Sequence, residues 1–181
     1  MKAVVPLFTV VALVAIGFTS TARAEMSPFR VRVEQVSKSD TEKFSKKQTR
    51  SLKIFVSNGS KEPAELIAKY YFFGRELKGK DVLELDKGEK PVSTKAMGTE
   101  MVESAVVSAE SEEEHYSGGS SKGGRSSAGK KTEASGTKIL GYAVQVFQGG
   151  KMVAETYEPL SMKEQVGKAY PAKLPTAPKK K

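Results

Sequence analysis

The chain has no cysteine and no tryptophan, a single histidine, and only 8% aromatic residues among 181. The absence of cysteine excludes disulfides, thiolate-held metals, a cysteine nucleophile and a lipid attached through cysteine. One histidine, His115, cannot alone supply a catalytic dyad or a transition-metal site, which need a partner nucleophile or further ligands. It stands beside an acidic run, Glu112-Glu113-Glu114, and reads as a solvated surface residue. The run 110–114 lacks the spaced Asp or Asn ligands and the turn glycine of a calcium loop. Carboxylates elsewhere alternate as surface charges, and none are paired in a way that suits glycoside hydrolysis. Beyond Phe18 no apolar run approaches the length of a membrane helix. The expectation is a protein with no catalytic site, no metal and no cofactor, and therefore not an enzyme.

What is present begins at the N-terminus. Lys2 precedes an apolar run from Ala3 to Phe18, and Ala22-Arg23-Ala24 follows. A charged start, an apolar middle and an A-x-A site predict a signal peptide over residues 1–24, cut before Glu25. The chain is then exported, to the periplasm, the outer membrane or the medium. A cysteine-free exported domain points to a bacterial envelope, because small eukaryotic ectodomains usually carry disulfides.

The formal charge of +9 does not imply nucleic acid. Removal of residues 1–24 leaves +7; residues 117–138 carry +4 and residues 163–181 carry +5, so the remainder is −2. A nucleic-acid domain carries a basic stripe with aromatics on folded elements. Here the basicity sits in a Ser/Gly/Lys-rich tract over 117–137 and a Lys- and Pro-containing tail over 163–181. Neither segment buries enough apolar surface to offset its ordering entropy, and both are predicted to be disordered. Such segments supply solubility or attraction to anionic surfaces.

Between them the pattern is that of strands. Phe29, Val31 and Val33 alternate with Arg30, Arg32 and Glu34; Leu52, Ile54 and Val56 alternate with Lys53, Phe55 and Ser57. Residues 37–49, polar and lysine-rich, are predicted as a loop. Asn58-Gly59 marks a turn; its fit to a glycosylation acceptor, with Ser60, is explained by that turn. Leu66, Ala68, Tyr70 and Phe72 share one face of residues 64–74. Residues 82–85 and 99–109 give two further strands, with helix a competitor for the second. Leu140, Tyr142, Val144 and Val146 define another, and Gly149-Gly150 turns it into a hairpin with residues 151–157. The segment Gly124 to Lys131 approaches a phosphate-binding loop, but Lys131 stands where Ser or Thr is needed. About seven short alternating strands predict an all-β sandwich over residues 25–162.

The run Gly141-Tyr142-Ala143-Val144-Gln145-Val146-Phe147, the following Gly-Gly and Lys151 to Glu155 resemble the last hairpin of immunoglobulin-like and fibronectin-III-like bacterial domains. Residues 51–58 are similar to their second strand and 68–74 to their third. Tyr142, two residues before Val144, resembles the corner tyrosine, although the cysteine pair and tryptophan of antibody domains are missing. The resemblance covers roughly residues 28–160 and implies an immunoglobulin-like β-sandwich. More loosely, the chain resembles small exported immunoglobulin-like proteins of Gram-negative bacteria, some encoded beside type IV pilus machinery.

In that topology the third and sixth strands are neighbours. If Tyr70, Phe72, Tyr142, Val144 and Val146 face the core, then Ile67, Tyr71, Phe73, Ala143 and Phe147 face outward. Ile67, Tyr71, Phe73 and Phe147 are the candidate partner-binding residues, unless a loop or the tail covers them. The expected function is a non-catalytic interaction or structural module of the cell envelope, pilus-associated in its most specific form, with an envelope or surface protein as partner. The alternatives are a carbohydrate- or mucin-binding domain, using Tyr71, and a binder of anionic envelope surfaces through the basic segments.

Overall fold

The computed structural model describes residues 27–117 and 129–170. The predicted signal peptide, the centre of the Ser/Gly tract and residues 171–181 lie outside them. The described residues form ten strands: β1 (Phe29–Glu42), β2 (Ser45–Asn58), β3 (Ala64–Glu76), β4 (Leu83–Thr94), β5 (Thr99–Glu103), β6 (Val107–Glu112), β7 (His115–Ser117), β8 (Lys130–Thr132), β9 (Ser135–Gln148) and β10 (Lys151–Glu158). A 3-10 helix follows at Leu160–Gln165.

The alternation in the sequence becomes two layers. β2 pairs with β1 on one side and with β5 and β6 on the other; β3 lies between β4 and β9, and β10 closes on β9. All pairings are antiparallel, and a short pairing of β6 with the start of β9 joins the layers. Leu52, Ile54 and Val56 of one layer and Leu66, Ala68, Tyr70, Phe72, Val144 and Val146 of the other share one core. This is the expected immunoglobulin-like sandwich, with β3 and β9 adjacent as the resemblance implied. Val and Ile at these positions suit a pleated surface buried on one side.

The layers are also joined by hydrogen bonds. The hydroxyl of Tyr70, on β3, accepts from the Ala105 N–H across the core at 3.1 Å. Gly88 on β4 makes room for that ring: a Cβ there would come within 2.6 Å of Tyr70 Cζ. At one end, the buried side chain of Asn58 closes the loops. Its Nδ2 donates to the Glu62 carbonyl at 2.8 Å and the Lys95 carbonyl at 3.2 Å, and its Oδ1 accepts from the Ser60 N–H at 2.8 Å. Asn58 is therefore a loop staple, and its amide nitrogen is not available to carry a glycan.

Several expectations need correction. Residues 37–49 are not a loop: β1 and β2 continue as a hairpin that turns at Lys43 (φ 46°) and Phe44. Both faces of this arm are largely exposed, so it leaves no hydrophobic alternation to read. Residues 99–109 form two strands, because Ser104 breaks the ladder. Its hydroxyl accepts from the Leu52 N–H at 2.9 Å, a position a backbone carbonyl would otherwise fill. In β9 the inward residue is Ile139, not Leu140, because the register with β3 shifts between Phe73 and Gly74.

Part of the segment 117–137, expected to be a disordered insertion, is ordered, and residues 118–128 lie outside the described residues. Residues 130–132 pair with β7, and β9 begins at Ser135. Of the segment 163–181, expected to be a disordered tail, residues 163–165 belong to the 3-10 helix and Tyr170 packs on Phe73 with ring centroids 6.1 Å apart. His115 is sheltered rather than solvated. Its ring stacks on Phe44 at 4.0 Å with an interplanar angle of 1°.

Candidate interaction surface

The outer face of the β4–β3–β9–β10 layer carries all four candidate residues. Cross-strand partners share a face, so the register arranges this surface in rows. Pro91, Ile67, Phe147 and Met152 form the first row, and Glu89, Lys69, Gln145 and Glu155 the second. Lys87, Tyr71, Ala143 and Tyr157 form the third; Phe73 stands beyond them beside Glu84.

The rows differ in chemistry and in cover. In the first, Ile67 is 44% exposed and Met152 43%, with Phe147 half-buried and Pro91 exposed. Pro91 is tolerated because β4 is an edge strand, with no strand paired beyond it among the described residues. Ile67, Pro91 and Phe147, with Glu65, Lys69 and the Gly149-Gly150 turn, line a shallow groove of about 420 Å³. Lys69 leans over the Phe147 ring, 5.3 Å from its centroid, and pairs with Glu89 at 3.5 Å. A second hollow of about 250 Å³, lined by Lys69, Tyr71, Lys87, Gly88 and Glu89, continues the groove toward the third row.

The far end of the face is covered. After β10 the chain turns at Pro159 and runs back as a strap. Met162, Val166 and Tyr170 pack over Phe73, Ala143, Tyr71 and Tyr157. Phe73 and Ala143 are fully buried. The set expected to face outward does so relative to the main core, but it divides. Ile67 and Phe147 stay accessible, Tyr71 is half-buried, and Phe73 is withdrawn from the exposed set by the strap.

Polar contacts hold the strap at its margins. Lys163 forms an ion pair with Glu155, and its ammonium lies 5.6 Å from the centre of the Tyr157 ring. The Tyr157 hydroxyl donates to Glu155 at 2.7 Å and accepts from the Gln145 amide at 3.1 Å. The bonds from Lys163 and Tyr157 hold the Glu155 carboxyl below its ordinary value. Burial, and behind it the nearby Glu84 charge, pushes the Tyr170 hydroxyl up.

Sequence reasoning missed Pro91, Met152 and the strap. Pro91 and Met152 become visible once a register is fixed. The strap left a direct signal: Met162, Val166 and Tyr170 recur every four residues in an otherwise polar segment.

The other candidates are dispersed. Glu110 pairs with Lys47 at 3.2 Å and Glu114 with Lys131 at 3.1 Å, so two carboxylates of the acidic run are held in ion pairs. Lys130 and Lys131, at the end of the phosphate-loop-like segment, lie in strand β8.

No protein-family model and no curated protein matches the chain. Solved structures give distant likenesses. A β-glucuronidase of Bacteroides uniformis aligns at a TM-score of 0.41 and 9% identity, over 72% of this chain. This chain spans 14% of that enzyme's length. A chain from Akkermansia muciniphila aligns at a TM-score of 0.36 and 17% identity, over 87% of this chain and 83% of that one.

Proposed function

We propose that the chain is a non-catalytic interaction module of the bacterial envelope, and that it docks a partner protein through the row Pro91–Ile67–Phe147–Met152. The observation that carries this reading is the exposed apolar row itself. It lies on a four-stranded layer, is flanked by charged side chains, and continues into a groove. An apolar centre with a charged rim is the usual composition of a docking patch. Export follows from the signal-like N-terminus, and the partner is another envelope or surface protein, pilus components among them.

The test is capture from an envelope extract by the chain and by an Ile67→Ser, Phe147→Ser variant. Removal of two central anchors should weaken the identified complex roughly 30-fold or more, a loss of about 2 kcal/mol. Because Ile67 is exposed, its replacement should cost the fold less than about 1 kcal/mol. Unchanged affinity in a folded variant would overturn the reading.

A further inference from the structure

We propose that the free edge of β1 pairs antiparallel with the same edge of a second copy of this chain, about a two-fold axis through Ser39. β1 ends its layer, and no strand pairs beyond it among the described residues. Residues 34–42 are all exposed. This edge belongs to the layer opposite the docking row, and the two surfaces are independent.

Open edges are ordinarily blunted by proline, a bulge or short length. The other edges carry these devices. β4 has Pro91 and an irregular register with β3, β10 has a register shift between Met152 and Ala154, and β5 is five residues long. β1 has none of them: its 14 residues pair with β2 without a shift.

The backbone of the edge is turned outward at alternate residues. The Leu52 N–H and carbonyl bond Ser104 on the far side of β2, and the Asn58 N–H bonds the Gly98 carbonyl. In an antiparallel ladder, a residue whose groups turn away from the partner strand stands opposite one that does the same. Gln35, opposite Leu52, and Phe29, opposite Asn58, therefore turn their N–H and C=O to the open edge, and alternation extends this to Ser37, Ser39 and Thr41. Pairing about Ser39 sets Ser39 against its own copy and Ser37 against the second copy's Thr41. About six N–H···O=C bonds then close across the axis.

Charge selects this register. It places Lys38 opposite the second copy's Asp40, and Asp40 opposite its Lys38, at non-hydrogen-bonded positions where side chains approach most closely. An axis through Lys38 or Asp40 would oppose like charges instead. Neither side chain has an ion-pair partner among the described residues. Lys38 faces Thr49, and Asp40 faces Lys47, whose ammonium is paired with Glu110. Lysine on an edge usually discourages pairing, but the aspartate two residues on makes this edge self-complementary. The axis falls in the arm, beyond the core residues Phe29, Val31 and Val33, so the two sandwiches lie at opposite ends of the paired segment.

A contact this small is transient, with half of the chains paired near about 100 µM. Sedimentation equilibrium of the chain from Glu25 should show monomer and dimer in exchange. Lys38→Asp and Asp40→Lys should each weaken the dimer about 10-fold, because each opposes like charges twice. Mixed in equal amounts, the two variants should bind each other, and the double variant Lys38→Asp, Asp40→Lys should self-associate as the unaltered chain does. Ser39→Pro removes the central N–H on an edge that tolerates proline, and should abolish pairing. A chain that stays monomeric at about 1 mM would overturn the proposal, as would self-association that both single reversals leave intact. Self-association lost in the Ile67→Ser, Phe147→Ser variant and kept in the reversals would place the contact on the docking row instead.

Discussion

Tyr70 joins the two layers through one atom. Its ring is part of the core, and its hydroxyl satisfies the Ala105 N–H where the β5–β6 edge is kinked. Tyr70→Phe keeps the packing and leaves that donor without its partner. The expected loss is about 1 kcal/mol, or roughly 3 °C in Tm, measured by thermal unfolding of the chain from Glu25. Gly88→Ala should cost more, because the new methyl would overlap the Tyr70 hydroxyl and the ring carbon that bears it, and the ring is packed in the core. At this scale the sequence was informative about direction and silent about partners. Alternation placed Tyr70, Phe72, Val144 and Val146 inward, since each is flanked by residues of the opposite face. The Ala105 contact joins positions 35 apart, and local pattern carries no information on it. Asn58 shows the same division: Asn-Gly announced the turn, whereas the two loops that its side chain ties together become visible only in three dimensions.

The strap is the element whose behaviour the charges control. Its apolar residues cover Phe73, while its ion pair to the sheet runs through Glu155, facing Lys163 and Tyr157, with Tyr170 and Glu84 at the other end. The sign at acid pH follows from Glu155. Its folded value lies below its ordinary 4.5, so its contribution is present above that value and is lost as pH falls through the depressed one. The tyrosines act at the other limit. Burial raises Tyr157 and Tyr170 above their ordinary 10.0, so their stabilisation holds below pH 10 and is lost as pH rises beyond it. The strap should therefore stay seated across neutral pH and loosen toward both extremes. The Met162 methyl resonance, buried under this contact, reports it. A Glu155→Gln variant should remove the acid limb and keep the alkaline one; an acid limb that survives in Glu155→Gln would show that another group carries it. Strand elements with one buried face were readable in the chain, and the strap was not, because a tail rich in lysine masks three apolar residues spaced at four.

Across the whole molecule, burial is uneven in a way that predicts its order of opening. β3 and β9 lie inside their layer, with neighbours on both edges, and supply most of the fully buried side chains. The distal half of the β1–β2 hairpin contributes none: from Ser37 to Gln48 no residue is buried, and Phe44 is 45% exposed. That contrast explains why the sandwich was legible from alternation and the arm was read as a loop. A ribbon held by its own ladder and by surface ion pairs has no hydrophobic period, yet its backbone bonds still form. It also sets the energetics, because exposed pairs such as Lys47–Glu110 contribute at most about 1 kcal/mol. Its main tertiary anchors are the pairing with β6 and the Phe44–His115 stack. In native-state hydrogen exchange, amides of residues 38–47 should exchange through local opening and respond weakly to denaturant. Amides of residues 68–72 and 142–146 should exchange only on global unfolding, with the full denaturant dependence. His115→Ala should accelerate exchange in the arm and leave β3 and β9 unchanged. Equal acceleration in both regions would mean that arm and sandwich open as one cooperative unit, contrary to the separation that their burial implies.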